Sequence, residues 1–188
     1  IGSTTESTRG MYSASWYSQR GLVYKQQVAI DPSDLGDGYL ETNVWRDAEG
    51  RVVAEGAPNA PGTKRILDAH GRTTSLFVTD RGSDDPPGAG GNYADATGSG
   101  RLTDDHVLEE THFSYDGGAW ADRLILTRTV RRLPDDSTTL GSISTDPADA
   151  LTTFVGYYYD EADRRIRTAN FGTNVGTDVF AVGGELTD

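Results

Sequence analysis

The chain contains no cysteine, which removes disulfides, thiolate metal sites and thiol catalysis at once. Lysine is nearly as scarce, with Lys25 and Lys64 standing against 15 arginines. Positive charge is in deficit: 17 Lys and Arg face 29 Asp and Glu, a formal net charge of −12. The arginines lie singly or in pairs such as Arg131-Arg132, so no basic run is present to grip a phosphate backbone and nucleic acid is not expected as a partner. No stretch approaches the roughly 18 apolar residues of a membrane-spanning helix, and no charged-then-apolar signal segment opens the chain. Helical periodicity is also missing, because no window keeps apolar residues at i, i+3, i+4 and i+7 without an interrupting Gly or Pro. The best helical candidate is Pro147 to Phe154, with Asp146 as cap and Pro147 in the first position, one or two turns long.

What the chain does have is turn formers and β formers. Its 188 residues include 23 Gly and 7 Pro, enough length for one core-bearing domain over 1–188 and enough breakers for many turns. Short runs rich in Val, Ile, Tyr, Phe and Thr span Leu22–Ile30, Leu40–Trp45, Arg51–Ala54, Arg72–Thr79, Val107–Tyr115, Leu124–Leu133, Val155–Tyr159, Arg165–Phe171 and Val179–Val182. Turn residues bound each run, the pattern of an all-β chain. In Arg123 to Val130 the alternation gives one apolar-leaning face, as in a half-buried antiparallel strand. Residues 1–10 read as a flexible N-terminal segment, 82–91 as a long Gly/Pro-rich loop, and 172–188 as a Gly-rich tail carrying one strand. The start at Ile1 fits excision from a longer polypeptide.

One unit recurs along these runs. It reads Trp45-Arg46-Asp47-Ala48-Glu49-Gly50-Arg51, then Ile66-Leu67-Asp68-Ala69-His70-Gly71-Arg72, then Tyr93-Ala94-Asp95-Ala96-Thr97-Gly98, with looser copies at Tyr115-Asp116-Gly117-Gly118 and at Tyr158-Tyr159-Asp160-Glu161-Ala162-Asp163-Arg164. The aspartates at 47, 68, 95, 116 and 160 are separated by steps of 21, 27, 21 and 44, the last near two units. Each part has a job in a β-hairpin. The Asp carboxylate accepts backbone N–H groups just downstream, and Gly three places later supplies positive φ, as Asp163 also can. The ring before the turn and the Arg after it then lie on facing strands, where the Arg stem can cover the ring.

This aromatic-Asp-x-x-Gly-Arg string at a step near 21 resembles the repeat of the RHS/YD-repeat family, best in Trp45 to Val52, Ile66 to Thr73 and Tyr158 to Arg165. The resemblance implies a fold, a ribbon of antiparallel β-hairpins winding into a spiral or shell, with little helix. It also implies a role, as a non-enzymatic structural or interaction segment of a secreted or cell-surface bacterial protein. Partners would be the rest of a longer chain of this kind or other copies in a self-assembled shell or filament. The Asp-Pro-x-Gly-Leu stretch that closes the family's core is absent, its nearest counterpart being Asp146-Pro147-Ala148-Asp149-Ala150-Leu151.

Other chemistry finds thinner support. No Gly-x-Ser-x-Gly elbow exists. His106 and His112 are six apart, so one strand would place both on one face as a metal pair or base, although exposed strand histidines explain them as well. The acid pairs Asp84-Asp85, Asp104-Asp105 and Asp135-Asp136 all sit in turn-like sequence, which favours solvated side chains over a glycosidase pair. Asp31, Asp34 and Asp37 form a weak calcium-loop candidate, since Leu35 takes a ligand position and no Glu closes the loop. Trp16, Trp45, Trp120 and Tyr157 to Tyr159 keep open a second reading, a carbohydrate-binding or adhesin module that stacks surface glycans on exposed rings. No cofactor is implied.

Overall fold

A computed structural model describes residues 13–29, 39–80, 102–117, 122–134, 139–144, 146 and 149–173. Ten strands follow one another: β1 (Ser13–Tyr17), β2 (Val23–Ala29), β3 (Tyr39–Arg46), β4 (Val52–Gly56), β5 (Gly62–Leu67), β6 (Thr73–Thr79), β7 (Val107–Tyr115), β8 (Leu124–Arg132), β9 (Ala150–Tyr159) and β10 (Arg165–Gly172). They form a single open sheet in chain order, every neighbouring pair antiparallel. The chain is therefore all-β and built as a ribbon of hairpins, as its turn spacing predicts. No helix occurs among the described residues.

Three strands depart from the sequence reading. β1 and β5 were not expected as strands, because Ser13-Ala14-Ser15 and Gly62-Thr63-Lys64-Arg65 carry little apolar alternation. Pairing on one flank for β1 and on both flanks for β5 overrides that weak local preference. The candidate helix of Pro147 to Phe154 is corrected: Ala150 to Phe154 form the start of β9. Just before it, the amides of Asp149 and Ala150 both donate to the Asp146 carbonyl at 3.0 Å. Thr152, Thr153, Phe154 and Val155 are good β formers, and each is paired to β8 across the ladder. The segments 1–10, 82–91 and most of 172–188, with the strand expected at Val179–Val182, lie outside the described residues.

The core is a lane running across one face of this sheet. Register aligns Trp45 with Ala54, Ala54 with Lys64, Lys64 with Phe77, Phe77 with Glu110 and Glu110 with Val130. All six are buried. The connections entering β7 and β9 cover this lane through Leu102, Asp105 and Ile143. Two polar links pin them down. The Lys64 Nζ donates to Asp105 Oδ1 at 2.9 Å with both side chains fully buried, and the Ile143 amide donates to Glu110 Oε1 at 2.5 Å. Removing one member of a buried ion pair strands the other charge, so Lys64 and Asp105 fix where the covering segment sits.

Candidate functional site: a row of interlocked hairpin turns

The hairpins β1–β2, β3–β4, β5–β6, β7–β8 and β9–β10 all turn at the same end of the sheet. At the second, the Asp47 amide donates to the Arg51 carbonyl at 3.0 Å and the Gly50 amide to the Asp47 carbonyl at 2.9 Å. The Asp47 Oδ1 accepts from the Glu49 and Arg51 amides, and its Oδ2 accepts from Arg51 Nε at 2.6 Å. Asp68 makes the same set with His70 and Arg72, its Oδ2 lying 2.6 Å from Arg72 Nε. Asp160 repeats it with Ala162 and Arg164, at 2.8 Å. Asp116 keeps the ion pair to Arg123 at 2.6 Å across a longer turn. Asp47, Asp68 and Asp160 thus close their turns as clasps, one oxygen on the backbone and the other on the guanidinium, and Asp116 keeps the guanidinium half. Gly71 adopts φ +83° and Asp163 φ +60° at matching turn positions, the left-handed conformation that Gly, and at a cost Asp, can take.

A fifth clasp was not read from sequence. In β1–β2 the Ser18 hydroxyl stands in for the carboxylate, accepting from the Leu22 amide at 3.3 Å, while the Ser18 amide donates to the Leu22 carbonyl and the Gly21 amide to the Ser18 carbonyl. A hydroxyl residue followed by Gly three places later was the available signal. All five hairpins also carry the same two-against-one bulge, since Tyr17 pairs with Val23, Arg46 with Val52, Leu67 with Thr73, Tyr115 with Leu124 and Tyr159 with Arg165. The bulged residues are Tyr24, Val53, Thr74, Ile125 and Ile166.

This register separates residues that the sequence aligns. Tyr115 and Tyr159 stand immediately before their aspartates, whereas Trp45 and Ile66 stand two places before theirs. Adjacent strand residues face opposite ways, so Trp45 enters the core lane and the position before the turn belongs to Tyr17, Arg46, Leu67, Tyr115 and Tyr159.

The rings immediately before the turns, Tyr115 and Tyr159, are covered not by the Arg of their own hairpin, as the repeat suggested, but by that of the preceding one. Arg72 lies over Tyr115 with its Cζ 4.4 Å from the ring centre, and Arg123 over Tyr159 at 5.8 Å. The Tyr115 hydroxyl donates to the Thr73 carbonyl at 2.9 Å and the Tyr159 hydroxyl to the Leu124 carbonyl at 3.0 Å. Arg46, in the equivalent place, donates through Nε to the Val23 carbonyl at 3.5 Å. The residue that closes each turn also meets the last turn residue of the next hairpin. Leu22 Cδ1 would lie 3.0 Å from a Cβ on Gly50, and Arg51 Nη1 3.1 Å from one on Gly71. Where that residue is Asp the contact becomes an ion pair, Arg72 with Asp122 and Arg123 with Asp163, each at 3.0 Å. Arg20 adds a hydrogen bond to the Ala48 carbonyl. Consecutive hairpins therefore interlock through one repeated contact.

Electrostatics follow from these bonds. Partial burial raises the Asp47 carboxyl, but the hydrogen bonds and charge of Arg51 outweigh it and hold the group below the ordinary carboxylate range. Asp68 is lowered in the same way by Arg72. At Asp160 the Arg164 amide contributes most to the lowering, followed by its guanidinium. Arg72 and Arg123 are raised in turn by their carboxylate partners. Such carboxylates stay ionised at neutral pH and are poor proton donors, which suits a clasp better than acid catalysis.

The remaining candidates disperse. His106 lies before β7, bridging to Gly141, while His112 lies within β7 and bonds Ser75 at 3.2 Å and Glu110 at 3.0 Å. Asp105 is tied to Lys64. No group of three or more His, Asp or Glu among the described residues is placed to hold a metal ion. Asp31, Asp34, Asp37, Asp84, Asp85, Tyr93, Asp95, Trp120, Asp135 and Asp136 lie outside the described residues. No protein-family model matches the chain, and no curated protein matches it.

Proposed function

We propose that this chain is a non-enzymatic structural and interaction module of the YD-repeat kind, part of a secreted or cell-surface bacterial protein, in which clasped hairpins form a scaffold. The observation that carries this reading is the serial interlock: the same Asp–Arg clasp recurs from Asp47 to Asp160, and the Arg of one clasp engages the next hairpin. A repeat array in which every unit contacts only its neighbours supports length and surface, not a convergent site. Asp47, Asp68, Asp116 and Asp160, with Arg51, Arg72, Arg123 and Arg164, are taken up by these contacts. Ring faces argue in the same direction, since Tyr115, Tyr159, Tyr157 and Tyr158 each carry an Arg over one face, which leaves less open ring for stacking a sugar.

Titration of the chain's tryptophan fluorescence with a broad glycan panel separates the two readings. A scaffold gives no saturable response, and a saturable one would replace it with the carbohydrate-binding module. Labelling unpermeabilised producing cells with an antibody to the chain tests the surface placement, and labelling only after permeabilisation would contradict it.

A further inference from the structure

The first and last hairpins carry complementary halves of the internal junction. Inside the sheet, the residue that closes one turn meets the last turn residue of the next hairpin at every junction, Arg72 and Arg123 also lie over the ring before that turn, and bulged Val53 clusters with Leu67 before the next turn. At the β1 end, among the described residues, only the receiving half is present. Tyr17 is 58% exposed and Gly21 has nothing near its Cβ position, whereas Gly50 and Gly71 are met by Leu22 and Arg51 of the hairpin before. At the β10 end, among the described residues, only the donating half is present. The Arg164 side chain is 79% exposed and bulged Ile166 is 66% exposed, whereas Val53, in the same place at an internal junction, is buried in a cluster with Leu67 of the next hairpin. Among the described residues, β1 and β10 are the two edges of the sheet.

We infer that a second copy of this chain docks head to tail, its β1 adding antiparallel to β10 of the first. Ten strands is an even number, so the added copy keeps both the antiparallel alternation and the turn row on the same end of the sheet. In the seam Arg164 lies over Tyr17 of the next copy and passes Gly21 as Arg51 passes Gly71. The Tyr17 hydroxyl donates to the Arg165 carbonyl as Tyr115 does to Thr73, and Ile166 is covered as Val53 is. The contact uses two different surfaces, so it adds copies head to tail rather than closing as a twofold dimer. This inference rests on the interlock described above, and it names the partner that a scaffold of this kind would recruit.

Sedimentation velocity on the full chain over a wide concentration range tests it, with two single variants at exposed sites. Tyr17→Lys spoils the head by facing Arg164 with a like charge. Ile166→Lys spoils the tail by removing the apolar cover and adding charge beside Arg164 and Arg165. The wild type is expected to rise above its 20.2 kDa monomer mass as concentration increases. Each variant alone is expected to lose that rise while keeping the wild-type far-ultraviolet circular dichroism spectrum. Mixed in equal amounts, the two variants form a complex of one copy each through the intact tail of the first and the intact head of the second. A wild type that stays monomeric throughout overturns the inference, as does assembly unchanged in both variants or failure of the mixture to pair. None of those results touches the internal interlock, which is read separately from the stability of Tyr115 and Tyr159 variants in the same chain.

Discussion

Replacing Tyr115 by Phe removes one oxygen and leaves the ring under Arg72, so it isolates the hydrogen bond that ties the β7–β8 hairpin to the one before it. The hydroxyl is partly buried and donates to the Thr73 carbonyl at 2.9 Å. Burial raises its pKa, with the Asp68 charge acting the same way against the opposing Arg72, so the group remains a protonated donor through neutral pH. Losing a neutral hydrogen bond of this type costs about 1 kcal/mol. In a domain of this size that corresponds to a fall in Tm of about 2–4 °C. Tyr159→Phe removes the matching bond to Leu124 and should fall by a similar amount. Tyr17→Phe occupies the same place in the first hairpin, with no hairpin before it among the described residues to receive the bond, and should leave the monomer's Tm within error. Differential scanning calorimetry of the three variants at low concentration gives the comparison. Equal effects at all three positions, or none at Tyr115 and Tyr159, would refute the claim that these hydroxyls join successive hairpins.

Further consequences follow from the clasps and the core. Asp47, Asp68 and Asp160 have folded pKa values below their ordinary ones, so they add stability above about pH 4 that is lost as pH falls through the lower folded values. Tm should therefore drop in acid, and Asp47→Asn, which keeps an acceptor for the backbone but cannot titrate, should flatten that drop; an unchanged profile would count against the clasp. Gly71→Ala places a Cβ at φ +83° and 3.1 Å from Arg51 Nη1, and should destabilise by about 1 kcal/mol or more in urea unfolding, whereas Gly117→Ala, with open space around it, should cost far less. Lys64→Met leaves Asp105 buried without its ion-pair partner and should cost about 3–5 kcal/mol, while the double change to Lys64→Met with Asp105→Leu should recover much of that loss.

Much of the fold is legible in local chemistry. An Asp with Gly three places on and Arg after it encodes its own turn, so four of the five clasp sites and eight of the ten strands can be placed from the chain. The fifth clasp hides because Ser18 lacks the carboxylate and Leu22 the guanidinium that made the others visible. β9 hides its first residues behind Asp146 and Pro147, which favour a turn there before pairing with β8 takes over. The interlock is of another kind. Arg72 meets Tyr115, and Arg123 meets Tyr159, only because the sheet sets their hairpins side by side. Sequence spacing carries the unit but not the partner of each ring, so the natural reading put ring and Arg within one hairpin. Trp45 shows the same limit: one residue of offset from the turn moves it from the interlocking row to the core.

The interlock of successive hairpins is tested most directly by proton NMR of the side chains at the junctions. With Arg72 over Tyr115 and Arg123 over Tyr159, the δ-methylene protons of both arginines should be shifted upfield by the ring currents and show cross-peaks to the tyrosine ring protons, while Arg164 at the end of the row shows neither in the monomer. Arginine shifts at random-coil values for residues 72 and 123, without cross-peaks to the rings, would contradict it.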